Sequence, residues 1–528
     1  MRYGKMSVKN KRIRCISALL ISCALLGGCG QKQELPEKEK EPVRLTALQY
    51  ELENQAVDFD GLWFYRQLEE KTGVHVDFEA VRDAEWENRE RLMFASGTYT
   101  DMVLRGSLDT EEYGVKQGKL IALDEYLDEY MPIYSARLKE SGLQGTALAS
   151  DEHSYYVGFM LSQDVNTNGH YFINRNWLDR LGLSVPRTVE ELTEVLRAFR
   201  DGDPNGNGLM DEVPYEATLD DCNTGIYNAF SSFGIPMNEE FVFADGEGTV
   251  YFAPCVNGFR ETLDWLHMLV EEKLMDTESL TQGSTLWSAK VNKDTAGFFS
   301  YWRLSNTALR REIADQFELM LPVSASGYRV RMSRLKDVIE FGASLTTQNQ
   351  DIPASLRWLD AQMETETMLV SQNGPVGEML SLREDGRYEV IHVPDQNELY
   401  SIVPVIVGQF FAPEEYYSQV YVPAPHRLEK SGYCSLYDEA DVLEEVSFKT
   451  VITEAPRTSE ESARIMELHK RLKTVVDSFI VDTVVNGGTD QKYAAFLRNL
   501  KEAGAEEYTA LYQQVYTRYT NRSRETEP

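Results

Sequence analysis

Between Val43 and Arg105 the chain switches repeatedly between two hydrophobic periods, and that alternation limits what it can fold into. Val43 to Tyr50 reads as a strand. Phe59 to Thr72 carries Leu62, Tyr65 and Leu68 at helical spacing, and Gly73 stops it. His75 to Val81 alternates as a second strand. Ala84 to Ser96 is predicted helical through Trp86, Leu92, Met93 and Ala95, with Gly97 closing it before a third strand over Asp101 to Arg105. Strand, helix, strand, helix, strand predicts a parallel sheet wrapped by helices, the α/β class. Such sheets bind ligands beyond the carboxyl ends of their strands. Gln55, after the first strand, and Arg105, ending the third, are therefore candidate ligand residues, with a solvated loop as the plainer alternative.

Further along, Tyr155 to Met160 and His170 to Asn174 read as strands. Thr188 and Glu191 form a T-x-x-E capping box for a helix whose buried stripe is Leu192, Val195, Leu196 and Phe199. Thr249 to Ala253, Ala296 to Trp302 and Ile339 to Leu345 are predicted strands, and Val256 to Leu274 and Pro353 to Met368 helices. Leu382 to His392 reads as a hairpin turning on Asp385-Gly386. Ser459 to Asp482, Lys492 to Ala503 and Glu506 to Tyr519 close the chain as helices.

The run Asp203-Pro204-Asn205-Gly206-Asn207-Gly208-Leu209-Met210-Asp211-Glu212 puts oxygen-bearing side chains at alternate positions. Calcium takes six to eight oxygens in flexible geometry, and Asp/Asn alternation with glycine at the bend supplies them. Counted from Asp203, Gly208 takes the sixth place of an EF-hand-like loop, but position 12 is Pro214. Counted from Asp201, Glu212 takes position 12 and Gly206 the bend. The plainer alternative is an Asx-rich turn without metal.

Residues 2 to 14 hold six bases and no acid, and Cys15 to Leu26 is almost wholly apolar. That run is too short to span a bilayer and reads as a signal peptide. Leu26-Gly27-Gly28-Cys29 resembles a bacterial lipoprotein cleavage site, which implies a mature chain starting at a lipidated Cys29. The polar stretch that follows, to residue 42, is expected to be a disordered tether. Losing the signal's six bases takes the formal net charge from -32 to -38, which argues against nucleic acid as a partner. Cys222, Cys255 and Cys434 are far apart and form no CxxC, so neither a disulfide framework nor a zinc site is expected.

Taken together, Phe172 to Leu183, the Pro186-Arg187-Thr188 turn and the DPNGNG…DE loop resemble the extracellular solute-binding proteins (family 1) of ABC importers. The likeness is to the subgroup of alginate-binding proteins and Gram-positive lipoprotein homologues, with support from Leu92 to Gly97, Ala296 to Trp302 and the helices around Tyr508 to Tyr519. It implies a two-lobed periplasmic-binding-protein-like fold of type II, with discontinuous lobes, central parallel-type sheets flanked by helices, and a hinge. The boundaries expected are signal peptide 1–28, tether 29–42, N-lobe 43–165 and 318–370, and C-lobe 166–317 and 371–528, with the calcium loop at 203–212. Carried over residue by residue, the structural calcium ligands fall on Asp203, Asn205, Asn207, the Leu209 carbonyl, Asp211 and Glu212. Tyr156-Val157-Gly158-Phe159 departs from the Tyr-Gly-Leu-Pro-like segment of the family.

The resemblance implies a monomer, lipid-anchored at the extracellular face of the cell membrane, that closes over an oligosaccharide and delivers it to ABC transporter permease subunits. Sugars offer apolar faces to rings and hydroxyl edges to planar polar groups. Tyr301 and Trp302 end one strand, and Tyr156 and Phe159 lie on another; each is a candidate ligand ring, with core packing as the alternative. Trp177, mid-helix, reads as core. Rival classes are a secreted glycoside hydrolase, which needs two positioned carboxylates, and a peptide carrier. No HExxH, GxSxG, P-loop or dinucleotide motif is present, and no catalytic residue is expected.

Overall fold

The computed structural model describes residues 41–51, 58–106, 108–141, 147–161, 165–166, 169–219, 224–301, 304, 309–332, 334–335, 338–392, 420–421 and 457–525. Cys29, Gln55, Trp302, Cys222 and Cys434 lie outside the described residues, as does the side chain of Phe159. Among the described residues no helix is long and apolar enough to cross a membrane.

The first lobe begins as the alternation predicts. β1 (Val43–Glu51), α1 (Trp63–Thr72), β2 (Val74–Arg82), α2 (Asp83–Ser96) and β3 (Met102–Leu104) follow one another. Gly73 and Gly97 end the two helices at φ 69° and 76°, a left-handed turn that glycine takes without a Cβ penalty. Leu62 is extended and splits a short 3-10 turn, Phe59–Gly61, from α1, where a single helix was predicted. α3 (Asp124–Tyr130), α4 (Pro132–Ser141) and β4 (Val157–Leu161) continue the lobe.

The chain then leaves through β5 (Val165–Asn166) and builds a second sheet from β6 (His170–Asn174), β7 (Val213–Tyr215), β10 (Ala296–Tyr301) and β11 (Phe317–Met320). Between these strands lie α5 (Arg175–Leu181), α6 (Val189–Asp201), α7 (Tyr227–Phe230), the ribbon of β8 (Val242–Ala244) and β9 (Val250–Phe252), α8 (Phe259–Glu271), α9 (Ser284–Val291) and α10 (Arg311–Ala314). It returns through β12 (Arg334–Leu335), antiparallel to β5, into β13 (Val338–Leu345). The β5–β12 ribbon thus carries two of the chain's passages between the sheets. α11 (Ile352–Ala361) and α12 (Thr365–Asn373) follow, two helices where one was predicted. β14 (Leu380–Leu382) and β15 (Tyr388–Val390) form the hairpin expected around Asp385-Gly386, with β16 (Val420–Tyr421) beside it. α13 (Ser459–Asn486), α14 (Asp490–Ala503) and α15 (Ala505–Glu525) end the chain.

The five-stranded sheet runs β2-β1-β3-β13-β4. β1 is parallel to β2 and β3, but β13 is antiparallel to both β3 and β4, so the sheet is mixed where a parallel one was expected. The four-stranded sheet runs β11-β6-β10-β7, with β10 parallel to β7 and antiparallel to β6. Alternate side chains feed opposite faces of each sheet. Leu45 and Ala47 enter one core with α1 and α11, while Leu48 joins Trp86 and Phe94 on the other face. In the second lobe Tyr171, Ile173 and Phe298 meet α6, α8 and the terminal helices, while Phe172 and Phe299 meet Trp287. α13 belongs to that core because Ile465, Leu468, Leu472, Val476, Ile480 and Val484 repeat every three to four residues and are all buried. Its start is fixed by a reciprocal box: Thr458 Oγ1 accepts from the Glu461 N–H at 3.2 Å, and Glu461 accepts from the Thr458 N–H at 2.9 Å.

Candidate functional site

At the first sheet, the parallel strands β1 and β2 end on Glu51 and Arg82, opposite one another in the ladder. β3 ends one residue before Arg105. Glu51 is buried, with Arg82 Nε 3.9 Å from its carboxylate. Arg105 takes φ 73°, a left-handed conformation that strains a residue with a Cβ. Its N–H donates to the Gly342 carbonyl at 2.8 Å, where the β13 ladder shifts register. Such strain persists where surrounding structure enforces it, and it gathers at binding sites. Next to it the Trp86 ring lies flat against the backbone: a Cβ on Gly106 would stand 2.0 Å from the indole. Tyr50 meets that ring edge-on at 5.5 Å. Tyr156 is half-buried against the first core.

In the second sheet the parallel pair β7 and β10 ends on Tyr215-Glu216 and Ser300-Tyr301. Tyr301 is half-buried and stacks on the buried Trp287 at 5.3 Å between centroids, 17° from parallel. The Trp287 indole N–H donates to the Glu216 carbonyl at 3.3 Å. The Glu216 side chain is buried and accepts from Gln282 Nε2 at 2.6 Å, with Lys290 Nζ at 3.7 Å. Burial pushes its carboxyl up to about 7, against the opposing pull of Gln282 and Lys290. Ser300 Oγ accepts from Asn228 Nδ2 at 2.8 Å. Tyr301 is therefore a candidate ring with one face supported by a second ring. Sequence reading missed Trp287, Glu216 and Gln282. The only signal for Glu216 was a lone acid directly after an apolar Val-Pro-Tyr.

The loop after α6 stands at the opposite, amino-terminal ends of β7 and β10. Thr188 Oγ1 caps α6 by accepting from the Glu191 N–H at 3.1 Å. Glu191 reaches back as expected but accepts from the Arg187 N–H at 2.7 Å, one residue before the predicted partner. Asp201 is taken by Arg200 in a two-point ion pair at 2.7 and 2.8 Å. Asp203 instead turns inward and accepts from the Gly208 N–H at 3.1 Å. Asn205 Oδ1 accepts from the Asn207 N–H at 3.0 Å, and Asn207 Oδ1 from the Leu209 N–H at 2.6 Å. Asn207 Nδ2 donates to Asp211 at 3.0 Å. Asn205 Nδ2 donates to the Asp294 carbonyl at 3.1 Å, which ties the loop to the start of β10. Among the described residues no three His, Cys, Asp or Glu side chains gather into a metal cage. Glu212 nevertheless fits a cation: it is buried, and neither carboxylate oxygen has a hydrogen-bond partner. Burial, helped by the neighbouring Asp211 and Asp203 carboxylates, pushes its carboxyl up.

Residues 45–221 match the family of bacterial extracellular solute-binding proteins. Over that segment the chain resembles the family. The whole chain is 24% identical to the fructooligosaccharide ABC transporter substrate-binding protein FusA of Streptococcus pneumoniae, over 95% of this chain and 98% of FusA. It is 23% identical to lipoprotein LipO of Bacillus subtilis, over 72% of this chain and 76% of LipO. In fold it is similar to S. pneumoniae FusA in complex with kestose, at TM-score 0.77 and 21% identity, covering 90% of this chain and 99% of that one. The alginate-binding protein AlgQ2, solved without calcium ion, matches at TM-score 0.69 and 20% identity over 90% and 98% of the two chains. These likenesses support the two-lobed α/β architecture.

Proposed function

We propose that this protein captures an oligosaccharide between its lobes and hands it to an ABC transporter permease, without turning it over. The observation that carries the reading is the Tyr301–Trp287 stack at the carboxyl end of β10, seated on the polar Glu216 and Gln282. A ring backed by a second ring offers a rigid apolar face at low entropic cost, which suits a sugar's C–H face. Arg105, Gln55, Tyr156 and Phe159 are the candidate contacts from the first lobe, and Trp302, next to Tyr301 in sequence, is a further candidate ring. Likeness along nearly the whole chain to a fructooligosaccharide-binding protein supports the substrate class. A ligand that touches both lobes favours closure in proportion to its differential contacts, and the β5–β12 ribbon is where the lobes would hinge. The anchor would be a lipid on Cys29, and likeness to a lipoprotein supports it.

Asp203, Asn205, Asn207, the Leu209 carbonyl, Asp211 and Glu212 would hold a structural calcium. Calcium there would supply the positive charge that compensates the buried Glu212 carboxylate. Titration calorimetry with kestose and longer oligosaccharides tests the carrier reading, alongside chromatography of the recovered sugar. Binding with intact sugar is expected; cleavage products would replace the carrier with an enzyme.

A further inference from the structure

Beneath the ring stack, Glu216 and Gln282 share an unfinished hydrogen-bond pattern. Glu216 is 1% exposed and Gln282 8%. Gln282 Nε2 donates to Glu216 Oε1 and to the Ala217 carbonyl, both at 2.6 Å. Those two acceptors fix which end of the amide is nitrogen. The other ends of both groups, Glu216 Oε2 and Gln282 Oε1, have no hydrogen-bond partner. Both are acceptors when Glu216 is ionised, so neither can serve the other. A proton on Glu216 Oε2 makes it a donor, on a side chain already joined to the amide through its other oxygen. Given to Gln282 Oε1, that proton would supply both orphaned atoms and close the two side chains into a ring of one N–H···O and one O–H···O bond.

The surrounding charges leave room for this. Lys290 on α9 is the cation facing Glu216, at 3.7 Å. It is held closer by Glu278, at 2.8 Å, and by Asp276, at 3.3 Å. One ammonium thus faces three carboxylates, and Glu216 is the most buried and the most distant of them. The Trp287 indole donates to the Glu216 backbone carbonyl and not to its carboxyl.

We propose that Glu216 is kept as a neutral acid paired at two points with Gln282, and that this pair positions the Trp287–Tyr301 stack. Gln282 clamps the strand end through the Ala217 carbonyl, and Trp287 leans on the Glu216 carbonyl. Opening the pair therefore loosens the seat of both rings. Burial, which raises the Glu216 carboxyl, acts in the same direction. The consequence for sugar binding rests on the function proposed above, whereas the acid–amide pair stands without it.

The test compares the whole mature chain with Glu216→Gln and Glu216→Ala from about pH 5 to about pH 8.5. A glutamine at 216 can rebuild the ring, because its amide donates to Gln282 Oε1 while its oxygen accepts from Gln282 Nε2. In the infrared, the wild type at low pH should show a protonated-acid carbonyl band that Glu216→Gln lacks. That difference removes the contribution of every other buried acid. Glu216→Gln should melt with the wild type at low pH and above it at high pH, while Glu216→Ala melts lower throughout. Kestose should bind the wild type about fivefold more weakly above pH 7, and bind Glu216→Gln equally at every pH. The pair is refuted if the infrared difference is absent or if Glu216→Gln melts like Glu216→Ala at low pH. A titrating band with pH-independent kestose affinity in the wild type refutes the positioning role. Kestose binding to none of the three sinks the sugar reading and leaves the pair to be judged on the band and the melting curves.

Discussion

Glu212→Gln should reverse its effect on stability according to whether calcium is present. The wild-type carboxylate is buried with neither oxygen hydrogen-bonded. Without a cation that arrangement costs about 1–3 kcal/mol, more if the group stays charged. An amide of the same shape carries no charge, so in chelator the variant should be more stable than the wild type by about 1 kcal/mol. Calcium at a hundredfold excess over its dissociation constant adds about 2.7 kcal/mol to the native state. For a lobe melting as its own unit of a few hundred residues, that is about 5–10 °C. Losing one charged ligand weakens binding by about tenfold or more, which removes about 1.4 kcal/mol of that gain. Scanning calorimetry of both chains, in EDTA and in about 1 mM calcium, should therefore give melting temperatures that cross. Identical calcium shifts in the two chains would refute the assignment of Glu212 as a ligand. No shift in the wild type would remove the cation from the loop altogether.

Gly106→Ala puts a methyl 2.0 Å from the Trp86 indole and should destabilise the first lobe by about 1–3 kcal/mol, read by urea melts. Arg105→Gly relieves a backbone held at φ 73° and should stabilise by about 1 kcal/mol while weakening kestose binding, so strain and ligand contact separate in melts and calorimetry. Glu90 is buried beside Tyr113, Asp109 and Glu87, and burial first raises its carboxyl from 4.5 to about 7. The folded chain then binds more protons than the unfolded one across that window, so this group's contribution to stability falls as pH rises through it and stays low above. Glu90→Gln should accordingly raise the melting temperature at about pH 8, by up to about 2–3 kcal/mol in stability, and change little at about pH 4.5.

Some of this architecture was legible in the residues. The first βαβαβ run reads off because its strands and helices are long enough to show a period and because Gly73 and Gly97 mark the stops. α13 reads off for the same reason, through its six buried apolar residues. The direction of β13 was hidden, since its apolar run is the same whichever way it pairs. β7 went unseen because three residues carry no period. The break between α11 and α12 lay inside a run that still looked helical. At the ligand patch, Tyr301 could be suspected as a ring at a strand end. Trp287 and Gln282 could not, because they meet Tyr301 and Glu216 only through tertiary packing across many residues. The loop over 203–212 shows the reverse case: its candidate ligands lie close together in sequence, so the pattern is local and visible.

The position of β13 bears on how the chain must assemble. β3 and β4 each pair with β13 and not with each other, so the first sheet has a gap between β3 and β4 until residues 338–345 arrive. Everything needed for the second sheet is synthesised before that gap is filled. The amino-terminal lobe therefore cannot finish folding as it emerges. It waits with two strand edges open, and long-range pairings of this kind are slow and prone to association. A chain truncated shortly after β4 should be recovered as aggregate, and a chaperone that shields open strand edges would act here before the second lobe is complete.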